Sequence, residues 1–209
     1  MKIDLYTASG TKKGQVEISD TMFGAPINKD LIHQAVVMQL ANARRPIAHT
    51  PARLESKYST KKMFRQKGTG NARRGSRSAG LLRHGSAIFG PKNTVNFRRE
   101  MPKKQRRRAL FSALSSRIDA MFALENPKIK EPKTAPMVDM LQKLPAGKKY
   151  LFIISEHQEG FEKSIRNIPG TRVLLANYLN PCDILSADQI AFVGDAIAKA
   201  ETTFLSSQN

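Results

Sequence analysis

Three kinds of residue are scarce in this 209-residue chain. It has no tryptophan, a single cysteine, and only 17 acidic residues against 35 Lys and Arg. One cysteine, Cys182, excludes an intrachain disulfide and a zinc site built on Cys pairs, and it indicates a reducing compartment. No apolar run approaches the roughly 18 residues needed to cross a bilayer, and the start Met1–Tyr6 has no signal-peptide core. We therefore expect a soluble intracellular protein with no membrane partner.

The basic excess is concentrated in one part of the chain. Residues 44–108 contain 20 Lys and Arg and two acids, Glu55 and Glu100, so they carry the entire formal net charge of +18. The other 144 residues carry 15 bases and 15 acids. Basic residues spread over a whole surface can serve solubility alone. A cationic insert in a neutral protein instead indicates a polyanionic partner, with nucleic acid first and an anionic membrane surface second.

Outside this insert the hydrophobic pattern alternates between strands and helices. Short apolar runs predict strands near 3–6, 15–18, 121–124, 150–154, 172–176 and 190–193. Helical spacing predicts helices near 29–43, 103–118, 134–144, 160–168, 181–185 and 195–205. Such alternation indicates right-handed crossovers between parallel strands. We therefore predict the α/β class: a single globular domain with a mostly parallel sheet flanked by helices, formed by residues 1–43 and 101–209.

The remaining residues, 44–100, are predicted to form a long extended basic loop. Between 53 and 100 neither helical nor strand periodicity persists, and glycine recurs at six positions. Large apolar residues come in isolated pairs such as Leu81-Leu82, too few to offset the entropy of ordering the segment. Loops this long inside a compact domain are uncommon and often functional. We expect the segment to be mobile when free and ordered on its partner.

The motifs of common α/β enzymes are missing. The segment Gly85–Lys92 approaches the spacing of a phosphate-binding loop, but Pro91 separates Gly90 from Lys92 and Asn93 follows instead of Ser or Thr. His157, close to Glu156 and Glu159, has no nucleophile or orienting group beside it in the sequence. We therefore predict that the protein is not an enzyme and has no catalytic residue, metal, cofactor or small-molecule substrate.

The basic insert has the composition of an RNA-binding segment. From Arg53 to Arg83 its cations recur every one to six residues, between glycines and small residues that let the backbone approach closely. Phe64, Phe89 and Phe97 are candidates for stacking on unpaired bases. A doubled-back loop of this length suits threading into folded RNA better than following a DNA groove. At its end, Pro102 begins a helix whose first residues are cationic, an unfavourable start that a bound phosphate would stabilise.

The predicted RNA-binding residues are the cations of this region together with the short segment around its Gly-Thr-Gly motif. They are Arg44, Arg45, Arg53, Lys57, Lys61, Lys62, Phe64, Arg65, Gln66, Lys67, Gly68, Thr69, Gly70, Arg73, Arg74, Arg77, Arg83, Lys92, Arg98, Arg99, Lys103, Lys104, Arg106, Arg107 and Arg108.

One stretch of this insert resembles a known family. Phe64-Arg65-Gln66-Lys67-Gly68-Thr69-Gly70-Asn71-Ala72-Arg73-Arg74-Gly75-Ser76 is similar to the signature of ribosomal protein four of the large subunit, bacterial type. The segments Phe89–Lys92 and Lys103–Ser115, and the order of elements along the chain, also resemble that family.

The resemblance implies a cytoplasmic, ribosome-bound structural constituent of the large subunit, with rRNA and neighbouring ribosomal proteins as partners. The loop is then expected to thread the RNA core, to assist assembly and to line the peptide exit tunnel. The loop tip, which would lie near the nascent peptide, is expected at Lys61, Lys62, Met63, Phe64, Arg65, Gln66, Lys67 and Gly68. The chain departs from the family pattern at Met63-Phe64, usually Pro-Trp, and at Gly85-Ser86, usually paired glycines.

Two other classes of function stay open on the sequence. One is a general RNA- or DNA-binding regulatory protein, which would not prefer a folded rRNA site to bulk nucleic acid. The other is a nucleotide-dependent α/β enzyme, which would bind ATP or NAD.

Overall fold

The computed structural model describes residues 1–127 and 132–205. In these ranges one sheet has six strands: β1 (Lys2–Tyr6), β2 (Lys12–Glu17), β3 (Met121–Leu124), β4 (Tyr150–Ile154), β5 (Thr171–Leu175) and β6 (Gln189–Val193). Their order is β2-β1-β3-β6-β4-β5. The hairpin pair β1 and β2 is antiparallel, and the other neighbours are parallel. The prediction of an α/β domain with a mostly parallel sheet is confirmed.

Helices follow the strands much as the sequence predicts. They are α1 (Asp20–Phe23), α2 (Lys29–Ala43), α3 (Lys103–Ser116), α4 (Ala135–Lys143), α5 (Glu159–Arg166), α6 (Pro181–Ser186) and α7 (Ala196–Leu205). The helix predicted to reach residue 118 ends at Ser116, and a 3-10 turn follows at Ile118–Ala120. None of the helices in the described residues is both long enough and apolar enough to cross a membrane.

The sheet is buried on both faces. Along β4, Leu151 and Ile153 join one apolar cluster, whereas Phe152 and Ile154 join another. Successive side chains of a strand point to opposite faces, so this division assigns one cluster to each face. Residues of α1, α3, α6 and α7 cover the first face, and residues of α4 and α5 cover the second. Burial on both sides explains why these strands appear in the sequence as continuous apolar runs.

Two asparagines begin helices as their positions in the sequence indicate. The side-chain oxygen of Asn28 accepts the backbone N–H of Leu31 at 3.0 Å, and that of Asn180 accepts the N–H of Asp183 at 2.9 Å. Each bond satisfies a donor that the first helical turn leaves without a partner. Cys182, in the first turn after Asn180, is partly exposed.

The chain divides into two compact units, one formed by residues 1–39 and 100–209 and the other by residues 40–99. The first unit contains the whole sheet. After α2 ends, residues 44–99, all of which the structure describes, form turns, bends and one isolated bridge, with no helix or strand. We call residues 40–99 the basic unit, because they contain 15 Lys and Arg against one acid.

Candidate nucleic-acid interface

The two ends of the basic unit are held together by paired hydrogen bonds. The Asn42 amide donates to the carbonyl of Arg99 at 3.1 Å, and its oxygen accepts the Arg99 backbone N–H at 2.8 Å. Two residues after Asn42, the Arg44 guanidinium lies 4.1 Å from the centre of the Phe97 ring. A cation over an aromatic face is attracted by the ring quadrupole. Phe97 therefore has one face covered by Arg44, which argues against the prediction that it stacks freely on a base.

The one acid of the basic unit, Glu55, joins two distant parts of it. Its Oε2 accepts the Ala52 backbone N–H at 2.7 Å, the Lys92 ammonium at 2.9 Å and a ring nitrogen of His49 at 3.2 Å. Lys92 also donates to the Thr50 carbonyl at 3.3 Å. The Ala52 N–H and then the Lys92 ammonium lower the pKa of Glu55 to about 2. We call Glu55, Lys92 and His49 the carboxylate clasp.

The interior of the basic unit consists of hydroxyl groups. Its buried residues are Ser76, Ser78 and Ser86. The hydroxyls of Ser76 and Ser78 lie 3.0 Å apart, and the hydroxyl and backbone N–H of Ser86 both donate to the Ser78 carbonyl, at 2.9 and 3.1 Å. The serine that departs from the paired glycines of the resembled family thus has a structural role here. Its neighbour Gly85 is indispensable, because a Cβ there would lie 2.0 Å from the Ala79 carbonyl oxygen.

The predicted loop tip is closed by a short antiparallel contact. Lys62 and Ser76 form a β-bridge, and the Met63 backbone N–H donates to the Gly75 carbonyl at 3.1 Å. Residues 64–74 form an arc beyond this contact. Within the arc, the Arg65 guanidinium donates to the Gly68 carbonyl at 2.7 Å, and the Lys62 ammonium donates to the Gln66 side chain. We call residues 64–74 the tip arc.

Glycine is required at two positions of the tip arc. Gly68 and Gly70 have φ angles of +77° and +69°, in the left-handed region that other residues rarely adopt. A Cβ at Gly70 would meet nothing within 4 Å, so its constraint comes from the backbone angle and not from crowding. The alternation of glycine and cation in the sequence therefore corresponds to a tight, exposed turn.

The second basic surface belongs to the other unit and begins α3. Pro102 occupies the N-cap position without a side-chain cap, and the first turn has no acidic residue. Leu110 and Leu114, further along the helix, are buried in the core. Ser112 fixes the helix to the start of α2, because its hydroxyl donates to the Pro26 carbonyl at 2.6 Å and accepts the Asn28 N–H at 2.9 Å. The core thus presents a helix N-terminus with cations beside it, which favours an anion.

The structure places the predicted RNA-binding residues in two groups. Those from Arg44 to Arg99 lie in the basic unit, and those from Lys103 to Arg108 lie at the start of α3 in the other unit. Nearly all are exposed; Thr69, Lys92 and Arg107 are partly buried. The guanidinium of Arg77 lies over the Tyr58 ring, 5.8 Å from the ring centre. Because these cations are already exposed, they can contact phosphates without any disruption of core packing.

Three features of the basic unit were not predicted from the sequence: the Asn42 pairing, the carboxylate clasp and the buried serines. For the clasp a signal existed, since Glu55 is the single acid between residues 40 and 99. A lone acid in a strongly cationic stretch suggests an internal partner. For the serines the sequence offers no comparable signal, because serine is common in loops.

The residues weighed for enzymatic chemistry make ordinary surface contacts. His157 pairs with Glu162 at 3.0 Å, and Glu159 pairs instead with Lys163 at 2.8 Å. Lys92, which would be the phosphate-loop lysine, is engaged by the clasp. Across residues 1–127 and 132–205, no three His, Cys, Asp or Glu side chains are grouped in a way that could hold a metal ion.

Comparison with known proteins shows what the chain is similar to. A family model described as the ribosomal protein L4/L1 family matches residues 16–203. The protein named "Large ribosomal subunit protein uL4" from Clostridium novyi (strain NT) is 38% identical over 204 residues, 97% of this chain and 98% of that protein. The protein of the same name from Carboxydothermus hydrogenoformans is 38% identical over 205 residues, 97% of this chain and 99% of that protein.

Proposed function

The chain belongs to the ribosomal protein L4/L1 family, and from this premise we propose that it is a structural constituent of the large ribosomal subunit that binds rRNA. The observation that carries the proposal is the location of charge. The whole excess of +18 lies in residues 44–108, and the structure gives these residues exposed side chains and almost no apolar core. The curated relatives named for the large ribosomal subunit support the choice of rRNA as the polyanion.

Binding follows from phosphate neutralisation. Exposed Lys and Arg displace the counterions condensed on RNA, and that release of ions drives association. Arg offers phosphate a planar fork of donors, and Lys offers a point charge. The glycines at positions 68 and 70 permit the left-handed backbone angles with which the tip arc turns. Such a surface needs no active site, and we propose no catalytic residue, metal or cofactor.

The two units are assigned different tasks. We assign residues 1–43 and 101–209 to a globular domain held by its core, and residues 44–100 to a loop that penetrates the rRNA. The tip arc and the residues before it, Lys61–Met63, would line the peptide exit tunnel near the nascent peptide. The bridge between Lys62 and Ser76 supports this assignment, because it delimits a narrow tip. Neighbouring ribosomal proteins, a role in assembly and a cytoplasmic location belong to the same proposal.

Binding measured against salt tests the rRNA proposal. If about ten cations replace counterions, log affinity for large-subunit rRNA should fall with log salt at a slope of roughly −7 to −9. Duplex DNA and bulk RNA should compete poorly. A shallow slope, or equal binding after deletion of residues 53–100, would contradict the proposal. Equal competition by bulk nucleic acid would instead favour a general regulatory RNA- or DNA-binding protein.

A matched pair of variants locates the contact. R73Q/R74Q removes two adjacent cations of the tip arc, and K148Q/K149Q removes two adjacent exposed cations of the globular unit. The first pair should reduce the magnitude of the salt slope by about 1.4 to 1.8, since each phosphate contact contributes roughly 0.7 to 0.9. The second should leave it unchanged. Equal effects of both pairs would show that total charge, and not the loop, governs binding.

A further inference from the structure

Phe89 has an unusual side-chain exposure and an unusual backbone angle. Its side chain is fully exposed, and its backbone has a φ angle of +55°. Exposure of a large aromatic ring is unfavourable in water, and the left-handed region is strained for a residue with a Cβ. His84 is the other non-glycine residue with positive φ in the described ranges. Departures from local rules that bring no visible gain within the protein often mark functional positions.

Flanking hydrogen bonds hold the backbone on both sides of Phe89. The Ala87 N–H donates to the Pro51 carbonyl at 3.1 Å, and the Thr50 N–H donates to the Pro91 carbonyl at 2.9 Å. Residues 88–90 therefore form a short projecting turn between two anchored points. Gly90 closes the turn against residue 50, because a Cβ there would lie 2.0 Å from the Thr50 hydroxyl oxygen. The turn thus presents the ring outward before any partner binds.

The three phenylalanines of the basic unit differ in availability. Arg44 covers one face of Phe97, and Phe64 is a little under half exposed, whereas the ring of Phe89 is accessible on all sides. Base stacking requires an open aromatic face, and every base offers a matching one. Of the three, Phe89 is best placed to stack.

The charge around Phe89 selects the kind of partner. An exposed aromatic residue can enter an apolar pocket of a protein or lie against an unpaired base. The basic unit has 15 cations and one acid, and that acid is already engaged by Lys92. Such a surface attracts a polyanion and repels neighbouring proteins that are themselves basic. The geometry points to Phe89 as a residue that stacks on an unpaired base of RNA, an inference that rests on the proposed rRNA-binding function.

A glycine substitution separates stacking from a structural role. F89G removes the ring and also relieves the positive φ. If Phe89 stacks, F89G should weaken binding to transcribed large-subunit rRNA by about 5- to 150-fold, the range expected for one lost stacking contact. The salt slope should not change, because no charge is removed. Affinity for inorganic polyphosphate, a polyanion without bases, should also be unchanged. Equal rRNA binding by F89G and the parent protein would overturn the inference.

Fluorescence provides a second, direct readout. The chain has no tryptophan, so F89W introduces the sole indole and keeps an aromatic ring at the position. Its emission should be quenched by rRNA and not by polyphosphate at equal occupancy. L81W is the matched control, because Leu81 is similarly exposed in the same unit without a positive φ. Equal quenching of both variants by rRNA would overturn the inference.

Two further outcomes distinguish a failure of base stacking by Phe89 from a failure of the proposed rRNA binding. Full rRNA binding by F89L, with brighter and blue-shifted F89W emission, would identify an apolar pocket and overturn base stacking while rRNA binding stands. Failure of the parent protein to bind rRNA with a steep salt slope would overturn the proposed function, and the inference with it.

Discussion

Different interactions stabilise each of the two units of this chain. In the globular unit, both faces of a six-stranded sheet are covered by buried apolar side chains such as Phe152 and Phe192. In the basic unit, the buried residues are three serines, and order depends on hydrogen bonds and one carboxylate. Apolar burial stabilises a fold without any partner. Isolated polar contacts contribute far less each, so we expect the order of the basic unit to depend more on a bound partner.

The exposed side chains show the same contrast. Ile47, Leu54, Leu81 and Phe89 are almost entirely exposed in the basic unit. Burying such side chains is the main favourable contribution to folding, so a segment that leaves them in water has stability still to gain. The basic unit is therefore expected to complete its folding on RNA, where cations and apolar side chains are covered together.

The largest effect should come from the core. Phe152 is fully buried and contacts the Phe161 ring edge-on, with ring centres 5.7 Å apart. F152A should lower the free energy of unfolding by about 3–5 kcal/mol, measured by urea denaturation, because it leaves a cavity. L81A, the matched change at an exposed residue of the basic unit, should alter it by no more than about 0.5 kcal/mol. Similar effects at both positions would contradict the contrast between the units.

A smaller, local effect is expected at Gly85. The Cβ of G85A would collide with the Ala79 carbonyl oxygen, whereas the Cβ of G75A would meet nothing within 4 Å. Amide exchange at Ser86 and Ala87 should accelerate by roughly fivefold or more in G85A, as expected when overpacking costs about 1–3 kcal/mol. Exchange in β4 should not change in either variant. Faster amide exchange in β4 of G85A would mean that the two units unfold together.

The smallest effect should come from opening the carboxylate clasp. E55Q removes the charge that Lys92 and the Ala52 N–H bind, so the Ala52 amide should exchange several-fold faster while urea denaturation is unchanged. E55Q also makes the basic unit more positive. From charge alone, this variant should therefore bind RNA more tightly, whereas a loss of order in the loop should weaken binding. Unaltered exchange at Ala52 would show that the clasp does not order the loop.

The clasp should also respond to pH in one direction. The folded pKa of Glu55, about 2, lies below its ordinary value of 4.5, so the ionised carboxylate is the form the clasp binds. Its contribution is complete above about pH 4.5 and is lost as the pH falls towards 2. An NMR titration of the Glu55 side chain should give a midpoint near 2. A midpoint near 4.5 would contradict the clasp.

Much of the fold was predictable because its signals are local. The predicted strand at 121–124 is β3 and the predicted helix at 29–43 is α2, with the same bounds. Each depends on the spacing of apolar residues within a few turns, which the sequence displays directly. The strand predicted at 15–18 begins earlier, at Lys12. Its first residues are polar because β2 is an edge strand with one neighbour, and such strands need not be apolar.

The candidate interface was predictable in composition but not in contacts. The cations and glycines of the tip arc could be named from the sequence because charge and backbone freedom belong to single residues. The pairing of Glu55 with Lys92 could not, because 37 positions separate them and no periodicity relates them. Likewise, three phenylalanines looked equivalent in the sequence, and only their contacts distinguish the covered Phe97 from the exposed Phe89.

The sequence alone predicts where the charge lies, which segments are strands or helices, and that residues 44–100 lack the apolar residues for a core. These properties are sums over neighbouring residues and need no knowledge of distant ones. Three further features follow from the packing of the folded chain: β6 lies between β3 and β4, Glu55 binds Lys92 across the loop, and Phe89 is exposed on it. Those outcomes depend on which distant segments pack together, and packing is settled by the whole chain at once.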